Sequence, residues 1–145
     1  EFSDVIQAFP LAFGPTSKID VFNQSDISPG AAEHALGDAI DFRGNSFNPV
    51  FKHSVLSFDI DTFIKMFDAP SPTHIKIDVD GVELEILRGA PQTFATKSLR
   101  KVSVEVREGS SEEPEIISLM SSMGFATEIG DKLVNSGCVN YIFSR

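Results

Sequence analysis

Residues 74–90 read His74-Ile75-Lys76-Ile77-Asp78-Val79-Asp80-Gly81-Val82-Glu83-Leu84-Glu85-Ile86-Leu87-Arg88-Gly89-Ala90. Ile75, Ile77 and Val79 fall on one face and Lys76 and Asp78 on the other, the period of two that marks a strand. Asp80-Gly81 breaks the alternation. A helix follows from about Val82 to Arg88, with Gly89 placed like a C′ residue and Pro91 beyond it. Lys101 to Val106 is a second alternating strand, with Val102, Val104 and Val106 on one face and Ser103, Glu105 and Arg107 on the other. The link between the two strands is about 20 residues and holds a helix, enough for a right-handed parallel crossover.

Outward from this unit the pattern continues. Pro114 opens a helix that turns Ile116, Ile117, Met120 and Met123 inward and closes at Gly124. Phe125 to Ile129 and Cys138 to Phe143 form a terminal antiparallel pair joined through Gly130-Asp131-Lys132. Upstream, Ser54 to Phe58 is a short strand, and Asp59 or Asp61 caps a helix carrying Phe63, Ile64 and Phe67. Residues 4–24 read as an N-terminal hairpin turned at Gly14-Pro15-Thr16-Ser17. Residues 25–54 form a long Ser-, Asn-, Gly- and Pro-rich loop, with Ala31 to Ala35 as one helical turn. The whole chain, 1–145, reads as a single α/β domain whose core is 55–145.

Composition narrows the function. With 145 residues, 41% hydrophobic and 23% charged, the chain can bury a core without disulfides or metal. No run approaches the roughly 18 apolar residues of a membrane span. A net charge of −9 argues against nucleic acid and against anionic membrane surfaces as partners, since both reward cationic faces. The 13 Phe, one Tyr and no Trp suit a packed core better than a base-stacking platform. Cys138, the single cysteine, excludes an internal disulfide and suits a reducing, cytoplasmic setting.

Chemistry concentrates where the two strands end. As neighbours they line up Lys76, Asp78, Glu105 and Arg107 in one polar stripe near their carboxyl ends, where open α/β sheets bind ligands. The alternative is a solvated face with two weak ion pairs. Asp80 and Glu83 read as a capping-box-like pair at the helix N-terminus in preference to a metal site, and no metal site is expected. His34, in the long loop, is a candidate substrate contact. Walker and dinucleotide glycine loops and nucleophile elbows are absent from the sequence.

The run from Ile75 to Ala90 resembles the signature of FkbM-type methyltransferases, approximately I-K-I-D-V-E-G-x-E-x-x-V-L-x-G-A, with Asp80 standing where the family commonly has Glu. The flanks Val55 to Ile64 and Val102 to Val106 also resemble the family's segments. The resemblance implies an incomplete Rossmann-like methyltransferase sheet, mostly parallel, and S-adenosylmethionine as cofactor. It implies methyl transfer to a hydroxyl of a sugar or small metabolite. Asp78, Glu105 and Lys76 are its catalytic candidates and His34 its substrate contact. The family's Gly-containing cofactor turn, approximately D-x-G-A-N-x-G, is not found in these residues. The 145 residues alone are therefore expected to be inactive. The usual sheet order also leaves strand 75–79 with an open edge, to be closed by the N-terminal hairpin or by a second copy in a homo-oligomer. The rival expectation is a non-catalytic α/β binding or assembly module.

Overall fold

The computed structural model describes residues 5–41, 43–133 and 137–145. The elements run β1 (Ala12–Phe13), β2 (Lys18–Gln24), β3 (Ala35–Leu36), β4 (Phe51–Phe58), α1 (Ile60–Phe67), β5 (His74–Ile77), α2 (Glu83–Arg88), α3 (Pro91–Ala95), β6 (Lys101–Arg107), α4 (Glu112–Ser122), β7 (Ala126–Leu133) and β8 (Cys138–Ser144). They build a mixed α/β structure with two four-stranded sheets, ordered β1-β4-β2-β3 and β5-β6-β8-β7.

The expected parallel unit is present. β5 lies parallel to β6 with Ile75 beside Val102 and Ile77 beside Val104, and α2 and α3 fill the crossover. The sheet is not mostly parallel, however: each sheet has one parallel pair, and the other pairs are antiparallel. The reason lies in β8, which enters antiparallel between β6 and β7. The valines of β6 point into the core as their alternation requires, where they meet Val139, Tyr141 and Phe143 of β8. Ile116 and Met120 of α4 close the same core, with Ile117 and Met123 half-buried against it. Gly130 lies inside β7, at a register irregularity between Ile129 and Lys132. The β7–β8 connection at 134–136 lies outside the described residues.

The N-terminal region departs from the hairpin expectation. β1 pairs parallel with β4, and β2 pairs antiparallel with β4 along its whole length, from Lys18–Ser57 to Gln24–Phe51. The stretch around Ala31 to Ala35 forms no helical turn; Ala35 and Leu36 pair with β2. β4 begins at Phe51, earlier than the Ser54 boundary, because its cross-strand partners in β2, rather than its own apolar content, hold it extended. This sheet does not close the edge of β5, whose single sheet neighbour among the described residues is β6. Ile60 of α1 belongs to the core, with Phe13 and Ile64 packed against it, while Phe63 of α1 makes edge contacts with Phe9, Phe13 and Phe58.

Caps follow the sequence in part. Asp59 caps α1, accepting from the Thr62 N–H at 2.8 Å. Asp61 instead caps α3, accepting from the Gln92 and Thr93 N–H groups at 2.8 Å each and from the Thr93 hydroxyl. Gly89 ends α2 at φ −79°, so it is no left-handed C′ glycine. It is there because the loop at Gly14-Pro15 crosses it: a Cβ would stand 2.6 Å from the Gly14 carbonyl oxygen and 3.1 Å from Pro15 Cα. Both obstacles are backbone and cannot rotate aside. Gly89→Ala is expected to cost about 1–3 kcal/mol in urea unfolding, and a variant as stable as the parent would refute this packing.

Candidate functional site

β5 ends at Ile77 and α2 begins at Glu83, so the segment between them emerges at the carboxyl ends of the β5/β6 pair. Two cavities meet there, of about 780 Å³ and about 570 Å³, and Asp78, Val79 and Asp80 line both. The larger has a wall of Phe13, Phe22, Ile60, Phe63, Ile77 and Ile86, with Lys76 and His34 at its polar side. The smaller is richer in charged side chains, with Glu83, Glu105, Arg107 and the loop residues Glu33 and Arg43 among its lining.

The structure places the sequence candidates as follows. Lys76 Nζ meets Asp78 Oδ2 at 2.5 Å, both side chains exposed. That hydrogen bond, together with the charges of Asp78 and Glu105, holds the Lys76 ammonium above its ordinary range. Asp78 and Glu105 share the smaller cavity, whereas Lys76 and His34 share the larger one with Asp78. Asp78 is thus the hinge between two half-sites, and the four residues do not converge in one cavity.

Asp80 does not cap α2. Its Oδ2 accepts from the backbone N–H groups of Glu33 at 2.9 Å and His34 at 3.2 Å, tying the long loop across the end of β5. The N-cap of α2 is Val82, which has no side-chain cap. A charge-assisted pair to backbone is stronger than a neutral one, and it holds Glu33 at φ 63°. His34 is further fixed by its Nδ1, 3.3 Å from the Ser25 N–H, and by its ring edge against Phe22. Asp80→Ala is expected to free this loop. Amide hydrogen exchange at Glu33 and His34 should accelerate by about tenfold or more, since two charge-assisted bonds are lost; unchanged protection would count against the tether.

Glu83 is the residue that the capping interpretation undervalued. Its carboxylate accepts from the Gly81 N–H at 3.2 Å, yet the residue is only 7% exposed. Burial, reinforced by the charges of Glu112 and Asp80, pushes its carboxyl up to about 7, against the pull of backbone N–H groups. One signal in the sequence points inward: Ile86 and Leu87 lie three and four residues on, hence on the same helix face, and both are buried.

Comparison with known proteins gives the family. Residues 14–127 match the family described as the Methyltransferase FkbM domain. The hexuronic acid methyltransferase AglP of Haloferax volcanii is 35% identical over 69 residues, covering 48% of this chain and 28% of that protein. The chain therefore matches well under half the length of that curated relative. No solved structure matches significantly. With the family match spanning the β5–α2 turn, both cavities' strand ends and most of the remaining chain, this protein belongs to the FkbM methyltransferase-domain family.

Proposed function

We propose that this chain forms the acceptor side of an S-adenosylmethionine-dependent methyltransferase that methylates a hydroxyl of a sugar or small metabolite. The observation that carries the reading is the pairing of Asp78 and Glu105 in one cavity at the carboxyl ends of adjacent parallel strands, inside the family match. The name of AglP, a hexuronic acid methyltransferase, supports a sugar as the substrate class.

The larger cavity offers part of what S-adenosylmethionine needs, and the D-x-G-A-N-x-G turn would have to supply the rest. Phe13, Ile60 and Ile77 offer apolar surface for an adenine, while Asp78 and Asp80 offer acceptors for ribose hydroxyls and negative charge toward a sulfonium. When bound, that group supplies an electrophilic methyl. Positioning is the main demand on the protein, because in-line displacement depends on alignment. Asp78, held by Lys76, and Glu105 accept hydrogen bonds from acceptor hydroxyls. His34, on the tethered loop, lines the larger cavity and so stands on the cofactor side of Asp78, away from the acceptor.

Calorimetry with S-adenosylmethionine tests the proposal. A longer protein carrying a D-x-G-A-N-x-G turn ahead of these residues is expected to bind saturably at one site, and residues 1–145 alone to bind none. No binding by the longer protein would overturn the reading. Asp78→Asn in that protein should lower the transfer rate by about 100-fold if a carboxylate is needed to orient the acceptor.

A further inference from the structure

We propose that Glu83 takes the proton from the acceptor hydroxyl, and that the cavity it lines holds an uncharged polyhydroxy acceptor, a neutral sugar. This inference rests on the methyltransferase reading above and deepens it.

Geometry comes first. Glu83 is buried, at 7% exposure, yet it lines the smaller cavity beside Asp78 and Glu105. Its hydrogen-bond donors among the described residues are backbone N–H groups; no side-chain donor pairs with it. A buried carboxyl without a cationic partner is costly to keep unless it is used or neutralised. The charged groups around it are Asp80 in the turn, Glu112 at the start of α4, Asp78, Glu105 and Arg107 at the strand ends, and Glu33, Asp41 and Arg43 of the long loop across the cavity. Its carboxyl, raised to about 7, lies close to the operating range of a general base at neutral pH. Asp78 is less suited to the task because the Lys76 ammonium already occupies its Oδ2.

Charge selects the acceptor. The carboxylates lining this cavity outnumber its guanidinium groups, Arg43 and Arg107. Arg43 faces Glu33 at 3.6 Å, and Arg107 donates to the Arg43 carbonyl. An anionic sugar entering this field is repelled, whereas a neutral sugar presents hydroxyl donors to Asp78 and Glu105. The acceptor oxygen gains the methyl carbon as the carbon–sulfur bond of the sulfonium donor breaks, and its proton passes to the Glu83 carboxylate, leaving a neutral thioether and a neutral Glu83. Glu83 then returns the proton to solvent through the cavity.

The test uses the longer protein with S-adenosylmethionine and two probes, a neutral methyl hexoside and the corresponding hexuronate. Wild type is expected to methylate the hexoside faster. Its rate should rise with pH through about 7, the raised Glu83 value. Glu83→Gln should lower kcat by about 100-fold or more and flatten that rise. An unchanged kcat and pH profile in Glu83→Gln, with wild type active, overturns the assignment and leaves the methyltransferase reading standing. Faster transfer to the hexuronate overturns the acceptor class. Transfer to neither probe overturns the reading beneath both. Carboxyl ¹³C NMR of the 145-residue chain gives a readout free of turnover. Glu83 should titrate near 7 and shift when the methyl hexoside is added. Titration in the ordinary carboxylate range, or no shift, sinks the proposal.

Discussion

Glu83→Gln is expected to stabilise the protein at pH 8 and to leave its stability nearly unchanged at pH 4. The carboxyl is raised from 4.5 in the unfolded chain to about 7 in the folded one, so the folded state holds the proton more tightly. Below 4.5 both states are protonated and the group contributes no difference. As pH rises from 4.5 to 7 the unfolded chain releases its proton while the folded chain keeps it, and wild type loses stability across that window. Above 7 the penalty is complete, about 3 kcal/mol at roughly 1.4 kcal/mol per pKa unit. Glutamine is nearly isosteric and never ionises, so it escapes the penalty. Thermal unfolding of both proteins at pH 4 and pH 8 checks it. Melting temperatures that differ equally at both pH values would show that Glu83 is not raised. The same substitution should remove activity and add stability, the trade expected where a site keeps a costly group in place for use.

Phe143→Ala is expected to cost about 3–5 kcal/mol, the range of a fully buried ring. Phe143 is 0% exposed. It lies in β8 between Val102 of β6 and Thr127 of β7 and stacks against Tyr141 with ring centroids 6.2 Å apart. Truncation removes a ring from the middle of a sheet whose backbone is hydrogen-bonded on both sides, so the cavity cannot collapse. Urea unfolding should show a lower midpoint at unchanged slope. A loss below about 1 kcal/mol would mean that the sheet packs otherwise.

The parallel β5–α2–β6 unit was legible in the sequence because each strand carries a strict period of two and each break carries a turn residue. The face assignment of Val102, Val104 and Val106 followed directly and is what the structure has. The N-terminal sheet was not legible. Lys18–Gln24 and Phe51–Phe58 are joined by pairing across more than 25 intervening residues, and no local pattern specifies a partner that distant. The site was half legible. Asp78 and Glu105 come together as their strand positions require. Asp80 and Glu83 were hidden by a local rule that suits them equally well: an acidic residue at a helix start reads as a cap, while tertiary contacts gave one to the loop and the other to a cavity. Gly89 shows the same effect, since its reason is a crossing loop from the far end of the chain.

The position of β8 also governs the order in which the fold can appear during synthesis. β5, α2, α3 and β6 emerge from the ribosome in sequence, but the open side of β6 has no partner until Cys138–Ser144 follows. β7 emerges earlier than β8 and meets no neighbour without it. The nascent chain therefore carries the unpaired flank of β6 through the synthesis of some thirty further residues, at elongation rates of roughly 5–20 residues per second. A ribosome stalled before residue 138 would display a half-sheet open to chaperones, and only translation of the β8 stretch would let the whole sheet lock together.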